Sequence, residues 1–304
     1  MDAYAPLIAA SINAGTPLML AALGLLINEK SGVVNLGAEG MMLVAAVIGF
    51  AVAVDTQSVA FGFVAGAAAG MLLAGFFALM TVWLGTNQYA TGLALSLFGG
   101  GASAYIGISY VGKSLDNPKF AIPFLSDIPF VGTALFRQHP MVYLSLLLCA
   151  GIVVFLYRTR AGLVLRAVGE SPSSAHALGY NVRRIRLAAL LFGGACCGLA
   201  GAFLSLVYTP LWVEGMVAGR GWIALALTTF ATWRPARVLI GAYLFGGVTI
   251  MTFHAQGLGV SIDSQLLSML PYLATILVLV LISTNANWIK LNMPASLGKN
   301  FNPG

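Results

Sequence analysis

Residues 56–112 read TQSVAFGFVAGAAAGMLLAGFFALMTVWLGTNQYATGLALSLFGGGASAYIGISYVG, 57 positions without one charged side chain. A helix needs about 20 apolar residues to cross about 30 Å of hydrocarbon. The run is therefore long enough for two crossings, separated by the polar turn Gly85-Thr86-Asn87-Gln88. Residues 3–26 are equally free of charge. The whole chain follows suit: of 304 residues 59% are hydrophobic and 8% charged, with a mean hydropathy of +0.92. Soluble chains carry about 25% charged residues. So few charges cannot cover a water-facing surface, and lipid must solvate much of this one. The expected fold is an all-α polytopic membrane protein with about 8–10 transmembrane or re-entrant helices.

Nine segments are expected, at about 5–27, 33–54, 58–84, 89–111, 140–157, 187–208, 219–233, 237–254 and 266–284. The first follows Met1-Asp2-Ala3-Tyr4, which lacks the basic stretch of a cleaved signal, so it is expected to stay as a membrane helix. With the N-terminus outside, 11 of the 15 Lys and Arg residues fall on the cytoplasmic side and 4 (Lys113, Lys119, Arg137, Arg220) outside. That is the positive-inside pattern. The net charge of +6 is thus a topology signal rather than a nucleic-acid stripe. Residues 1–304 read as a single transmembrane domain with a cytoplasmic loop at 158–186 and an extracytoplasmic loop at 112–139.

Two segments are irregular. Segment 33–54 opens with Asn35-Leu36-Gly37-Ala38-Glu39-Gly40, and segment 219–233 is barely long enough and follows Pro210, Glu214, Gly215 and Gly219. Glu39-Gly40-Met41 and Glu214-Gly215-Met216 are similar scraps, and Gly-interrupted segments in two halves of a transporter suggest a site built from broken helices. Glycines at four-residue spacing (Gly62, Gly66, Gly70; Gly194, Gly198) and Cys197 with Gly201 predict close helix packing within the subunit. The five tryptophans, Trp83, Trp212, Trp222, Trp233 and Trp288, fall near segment ends, where an aromatic belt is expected.

No catalytic constellation or metal cluster emerges. His139, His176 and His254 are far apart, and Cys149, Cys196 and Cys197 lie inside apolar runs. Residues 107–114, GISYVGKS, match the phosphate-binding P-loop pattern letter for letter. That chemistry needs a loop between a strand and a helix, whereas this run closes a membrane segment and precedes Pro118, Pro123 and Pro129. The match reads as coincidence.

The cytoplasmic loop holds the most specified local structure. Ser171 suits a helix N-cap, Pro172 the first helical position and Gly179 a left-handed stop. Arg158, Arg160 and Arg166 precede this short helix, and Arg183, Arg184 and Arg186 follow it. A basic loop that only sets topology needs no capped helix, which favours a protein-docking element.

Residues 166–172, RAVGESP, and 175–184, AHALGYNVRR, resemble the cytoplasmic loop of ABC importer permeases serving branched-chain amino acids, simple sugars and nucleosides. Residues 28–42, 85–88, 92–95 and 219–226 are similar to the same family, closest to its nucleoside and simple-sugar branch. Gln88 stands where many relatives carry an acidic residue. The resemblance implies a permease that is not itself an enzyme and binds no cofactor, with ATP bound by a cytoplasmic ABC ATPase. It implies a second permease subunit in a heterodimer, an extracytoplasmic substrate-binding protein, and a bacterial cytoplasmic membrane. The coupling element would comprise Gly169, Glu170, Ser171, Pro172, Ala175 and Gly179, with Arg183 and Arg184 beside it. Asn35, Glu39, Asn87, Gln88, Glu214 and Trp222 are the candidates for the substrate pathway, since polar groups at membrane depth are costly unless paired or lining a wet cavity. Helix-packing hydrogen bonds are the competing reading for each. By motif resemblance nucleosides come first as substrate, simple sugars second and branched-chain amino acids third. An ion-gradient-driven secondary transporter of a small polar solute stays open on Glu39 and Glu214.

Overall fold

The computed structural model describes residues 4–116, 120–257 and 292–302, with scattered helical positions between 266 and 280. The expected segment 266–284 and Trp288 therefore lie largely or wholly outside the described residues. The described elements are helical throughout, apart from one isolated bridge between Ser114 and Leu211. Among the described residues seven helices are long and apolar enough to cross a membrane.

Helix α1 (Ala5–Lys30) is the axis of the molecule. Every residue from position 14 to 30 is buried, including Asn28, Glu29 and Lys30 at its end. It packs against α9 (Val182–Phe203), α10 (Arg220–Phe230) and α11 (Pro235–Gly257). Helix α2 (Ala38–Thr56) lies between α3 (Val59–Ala78) and α4 (Gln88–Gly107) and also touches α9. Both α3 and α9 end in a π-helical turn, Leu79–Trp83 and Leu204–Tyr208. Helix α6 (Pro140–Arg158) returns to the basic loop, where α7 (Arg160–Glu170) and α8 (Pro172–Ala177) sit. The loop between α4 and α6 carries the short α5 (Val131–Leu135) at the opposite end.

The glycine stripes set the closest approaches. A methyl group on Gly70 would collide with the Gly194 carbonyl oxygen of α9, and one on Gly198 with the Gly66 carbonyl oxygen of α3. In lipid no hydrophobic force draws helices together, so such backbone contact supplies the van der Waals attraction. The packing is within the subunit, as the spacing predicts.

Segment 219–233 departs from the sequence reading of a full crossing helix. Only the 11 residues of α10 are helical there, about 16 Å of rise, or about half the hydrocarbon thickness. The remaining depth is covered by residues 209–219, which start beside the outer loop, where the Leu115 amide donates to the Pro210 carbonyl at 3.0 Å. This crossing is a non-helical stretch joined to a half-helix. Segment 33–54 is also shorter as a helix than expected, because residues 31–37 are non-helical and α2 begins at Ala38.

Tryptophan placement differs from an aromatic belt as well. Trp212 and Trp233 are 3% and 2% exposed, Trp212 against Gly107 and Trp233 against α1. Among the described tryptophans only Trp83, 40% exposed at the end of α3, sits as a belt residue would.

Gly70→Val should lower the unfolding midpoint of the detergent-solubilised protein, since overpacking a tight contact costs about 1–3 kcal/mol. Gly100→Ala, whose added methyl meets nothing within 4 Å, should leave it unchanged. A thiol-reactive dye reports both, because all three cysteines are free and buried.

Candidate functional site

The half-helix α10 is held at both ends by carboxylates from the α1–α2 region. At its start Glu39 accepts from the Gly219 amide (2.8 Å, Oε1) and the Gly221 amide (2.7 Å, Oε2). These are the orphan donors of a helix N-terminus, where the helix dipole also favours negative charge. Gly219 itself has φ +78°, and a methyl on Gly221 would press into the Glu39 backbone. At the far end Glu29 Oε2 accepts from Thr228 Oγ1 (3.0 Å) and Trp233 Nε1 (2.5 Å). Thr232 and Trp233 both have positive φ, 48° and 53°, and the indole bond fixes this tight turn into α11.

Four of the six expected pathway residues are engaged inside the subunit. Asn35, fully buried, accepts from the Gly37 amide at 3.0 Å and shapes the entry to α2. Glu39 caps α10. Asn87 is the N-cap of α4, accepting from the amides of Tyr89 and Ala90. Gln88, 2% exposed, accepts from the Val34 amide at 2.9 Å and donates to Asn300 Oδ1 at 3.1 Å. The other two stay accessible on the broken crossing: Glu214 is exposed in its non-helical half and Trp222 is half-buried on α10. Glu39 and Glu214 hold different places, so the similar scraps around them do not mark equivalent sites. The paired intramembrane acids of an ion-driven transporter are not formed by these two residues.

At the opposite end of the molecule from the basic loop lies a cavity of about 620 Å³. Asn13, Phe120, Asp127, Arg137, His139 and Tyr208 are among the residues that line it. Gln138 braces its wall, accepting from Asn13 (2.7 Å) and donating to the Ala134 carbonyl (2.9 Å). His139 caps α6 through Nδ1, and burial pushes its pKa down, which keeps the imidazole neutral at physiological pH.

The basic loop is built as its sequence signals. Ser171 Oγ accepts from the Ser174 amide at 3.3 Å and Pro172 is the first residue of α8. Gly179 ends the element with φ +88°, its amide donating to the His176 carbonyl at 2.8 Å. Ala175 is buried with Val168 and Val182, which fastens α8 to α7 and α9. Glu170, Arg184, Tyr180 and Leu178 are exposed, Leu178 at 78%. Arg186 is not part of that basic surface. It is 2% exposed and donates to the carbonyls of Ser31 (3.2 Å) and Lys299 (3.1 Å).

The P-loop look-alike closes α4: residues 108–110 form a 3-10 turn and Lys113 lies over the Tyr110 ring. No strand precedes it, and its backbone is not arranged to cradle a phosphate.

Residues 7–282 match the family described as the branched-chain amino acid transport system permease component. The chain belongs to that family. A putative glucose ABC transporter permease of Haloferax volcanii is 40% identical over 99% of both chains. A nucleoside ABC transporter permease of Lactococcus lactis is 31% identical over 88% of both, and a guanosine ABC transporter permease of Bacillus subtilis 30% over 90% of both. No solved structure matches. The protein is thus a multi-pass membrane permease subunit of an ABC importer, a transport component.

Sequence reasoning missed Glu29, Trp233 and the 292–302 segment. Glu29 reads as the polar end of an apolar run and Trp233 as a belt residue. The tail has no periodicity that announces a binding role.

Glu39→Ala leaves two amides at membrane depth without an acceptor, at about 1–3 kcal/mol each. The permease should unfold at lower temperature in the thiol-dye assay and lose uptake. Glu39→Gln, which keeps an acceptor oxygen, should fall between Glu39→Ala and wild type in both measurements.

Proposed function

We propose that this permease carries a neutral, hydroxyl-rich solute, a nucleoside or a simple sugar, across a prokaryotic cytoplasmic membrane. The observation that carries this reading is Glu39 seated on the amides of Gly219 and Gly221. In transporters built from broken helices the positive end of a half-helix receives the anionic group of the substrate. Here that end is already neutralised, which disfavours an amino acid carboxylate. Glu214 and Trp222, the accessible pair on the broken crossing, can accept a hydroxyl proton and stack on a ring. The outer cavity offers similar chemistry, with Asp127 and Asn13 beside the rings of Phe120 and Tyr208. The names of the glucose and nucleoside relatives support the same solute class.

An extracytoplasmic binding protein hands the solute to the end that bears the 112–139 loop. Two permease subunits, this chain and a different partner, enclose the path. A cytoplasmic ABC ATPase binds and hydrolyses the ATP. It grips α8 and its flanks: Gly169, Glu170, Ser171, Pro172, Ala175, Gly179, Arg183 and Arg184 form or support the lever. Exposed Leu178 and Tyr180 beside Arg184 make a surface that is apolar at its centre and basic at its edge. Such a surface fits a protein groove better than water. ATP-driven closure of the ATPases displaces the lever, and the permease pair opens toward the cytoplasm.

Proteoliposomes holding the complete importer test the substrate. Labelled glucose and labelled guanosine are offered separately, with leucine as competitor. ATP-dependent accumulation of one of the first two, unaffected by leucine and by collapse of ion gradients, is the expected result. Leucine uptake alone would overturn the assignment.

Gly179→Val should uncouple the lever. A β-branched residue is strongly disfavoured at φ +88°, although the added side chain meets no neighbour. The bundle should reach the membrane in normal amount, while the ATPase no longer co-purifies and uptake is lost.

A further inference from the structure

Residues 292–302 lie across the basic end of the bundle and bond or touch the end of α1, α7, α8, α9 and the α3–α4 turn. Ser296 bonds the Gly169 carbonyl of the lever twice, through its amide (3.0 Å) and its hydroxyl (2.6 Å). Lys30 Nζ donates to the Asn292 carbonyl at 2.8 Å, and the Gly298 amide to the Gly32 carbonyl at 3.1 Å. Arg186 reaches both Ser296 Oγ (3.4 Å) and the Lys299 carbonyl (3.1 Å). Beyond them Asn300 donates to the carbonyls of Gly85 (2.6 Å) and Thr86 (3.1 Å) in the α3–α4 turn, and accepts from Gln88. Phe301 closes the strap on α8, its ring 5.6 Å from that of His176.

We infer that this C-terminal strap is a mechanical link that carries displacement of the lever to the half-helix α10. The inference rests on the coupling role proposed for α8. Bonded contacts run without a gap along the route. Gly169 holds Ser296, Asn300 holds Gln88, and Gln88 holds the Val34 amide. Val34 lies in the non-helical stretch in which Asn35 fixes Gly37, and Glu39 then grips Gly219 and Gly221. From Ser296 to Asn300 the chain can span at most about 14 Å, and Gly298 is pinned to Gly32 between them. So short and so anchored a segment cannot absorb a shift of several ångström at one end. Ser296 and Asn300 are positioning residues: the bonds described for them run to other parts of this chain.

Links in series and independent contacts give different double mutants. Breaking either end of a serial link severs it, so the second break adds nothing, whereas separate structural contacts lose stability additively. Ser296→Ala, Asn300→Ala and the double variant are compared in the complete reconstituted importer, reading solute taken up per ATP hydrolysed. Each single variant should lower that ratio by at least about fivefold, since Ser296→Ala removes two side-chain hydrogen bonds and Asn300→Ala three, with ATPase co-purification unchanged. The double variant should fall no further than the worse single one. A wild-type ratio in the singles, or losses that multiply in the double, overturns the link. A second measurement guards against misfolding: Thr86→Cys with Asn300→Cys, read before and after closure with a short bis-thiosulfonate reagent. Closure should restore the ratio in the same preparation, and no recovery counts against the strap. Gly179→Val keeps the two readings separable. If it retains ATPase and uptake, the lever reading itself fails. If it loses them while the Ser296 and Asn300 variants keep a normal ratio, only the strap fails.

Discussion

A membrane interior offers no water to satisfy a backbone, so every break in a helix must find its partners inside the protein. The rest of this permease is arranged around one such break. Its penultimate described crossing is half non-helical, and the exposed start of α10 is met by Glu39 while its end is met by Glu29. Both carboxylates come from either side of one short non-helical link between α1 and α2.

Holding those groups in register requires a bundle that does not shift. Glycine supplies it: α3 and α9 approach until backbone meets backbone at Gly66, Gly70, Gly194 and Gly198. Where α2 meets α4, a methyl on Gly99 would strike Gly40, one residue from Glu39. The carboxylate that caps the half-helix thus stands on one of the tightest contacts in the fold. Helix packing and site geometry are a single arrangement here.

At the basic end the polarity is reversed. Helix α8 has six residues, too few to be stable alone, and it is kept by Ala175 in a small apolar cluster with Val168 and Val182. The strap lies against that cluster through Phe301 and continues to the α3–α4 turn. Buried Arg186 of α9 ties the strap to the end of α1 by donating to the Ser31 and Lys299 carbonyls and the Ser296 hydroxyl. A region that would otherwise be a set of separate loops becomes a connected polar layer beneath the membrane-spanning helices.

Composition and local pattern determined the membrane class, seven of the crossing helices and the capped helix α8. Charge-free runs must avoid water wherever they fold, and Ser171, Pro172 and Gly179 act through their own backbone neighbourhood. The glycine stripes were legible for the same reason, because a four-residue spacing fixes one helix face. What the sequence could not convey was partnership across distance. Glu39 and Gly219 are 180 positions apart, Glu29 and Trp233 204, and Ser296 and Gly169 127. Asn35, Asn87 and Gln88 were legible as polar groups needing a reason, but their reason is a hydrogen bond that exists only once the chain has folded. A carboxylate in an apolar run looks the same whether it awaits a solute or caps a helix. Only the tertiary structure, by bringing an unsatisfied amide within 3 Å of it, decides between them.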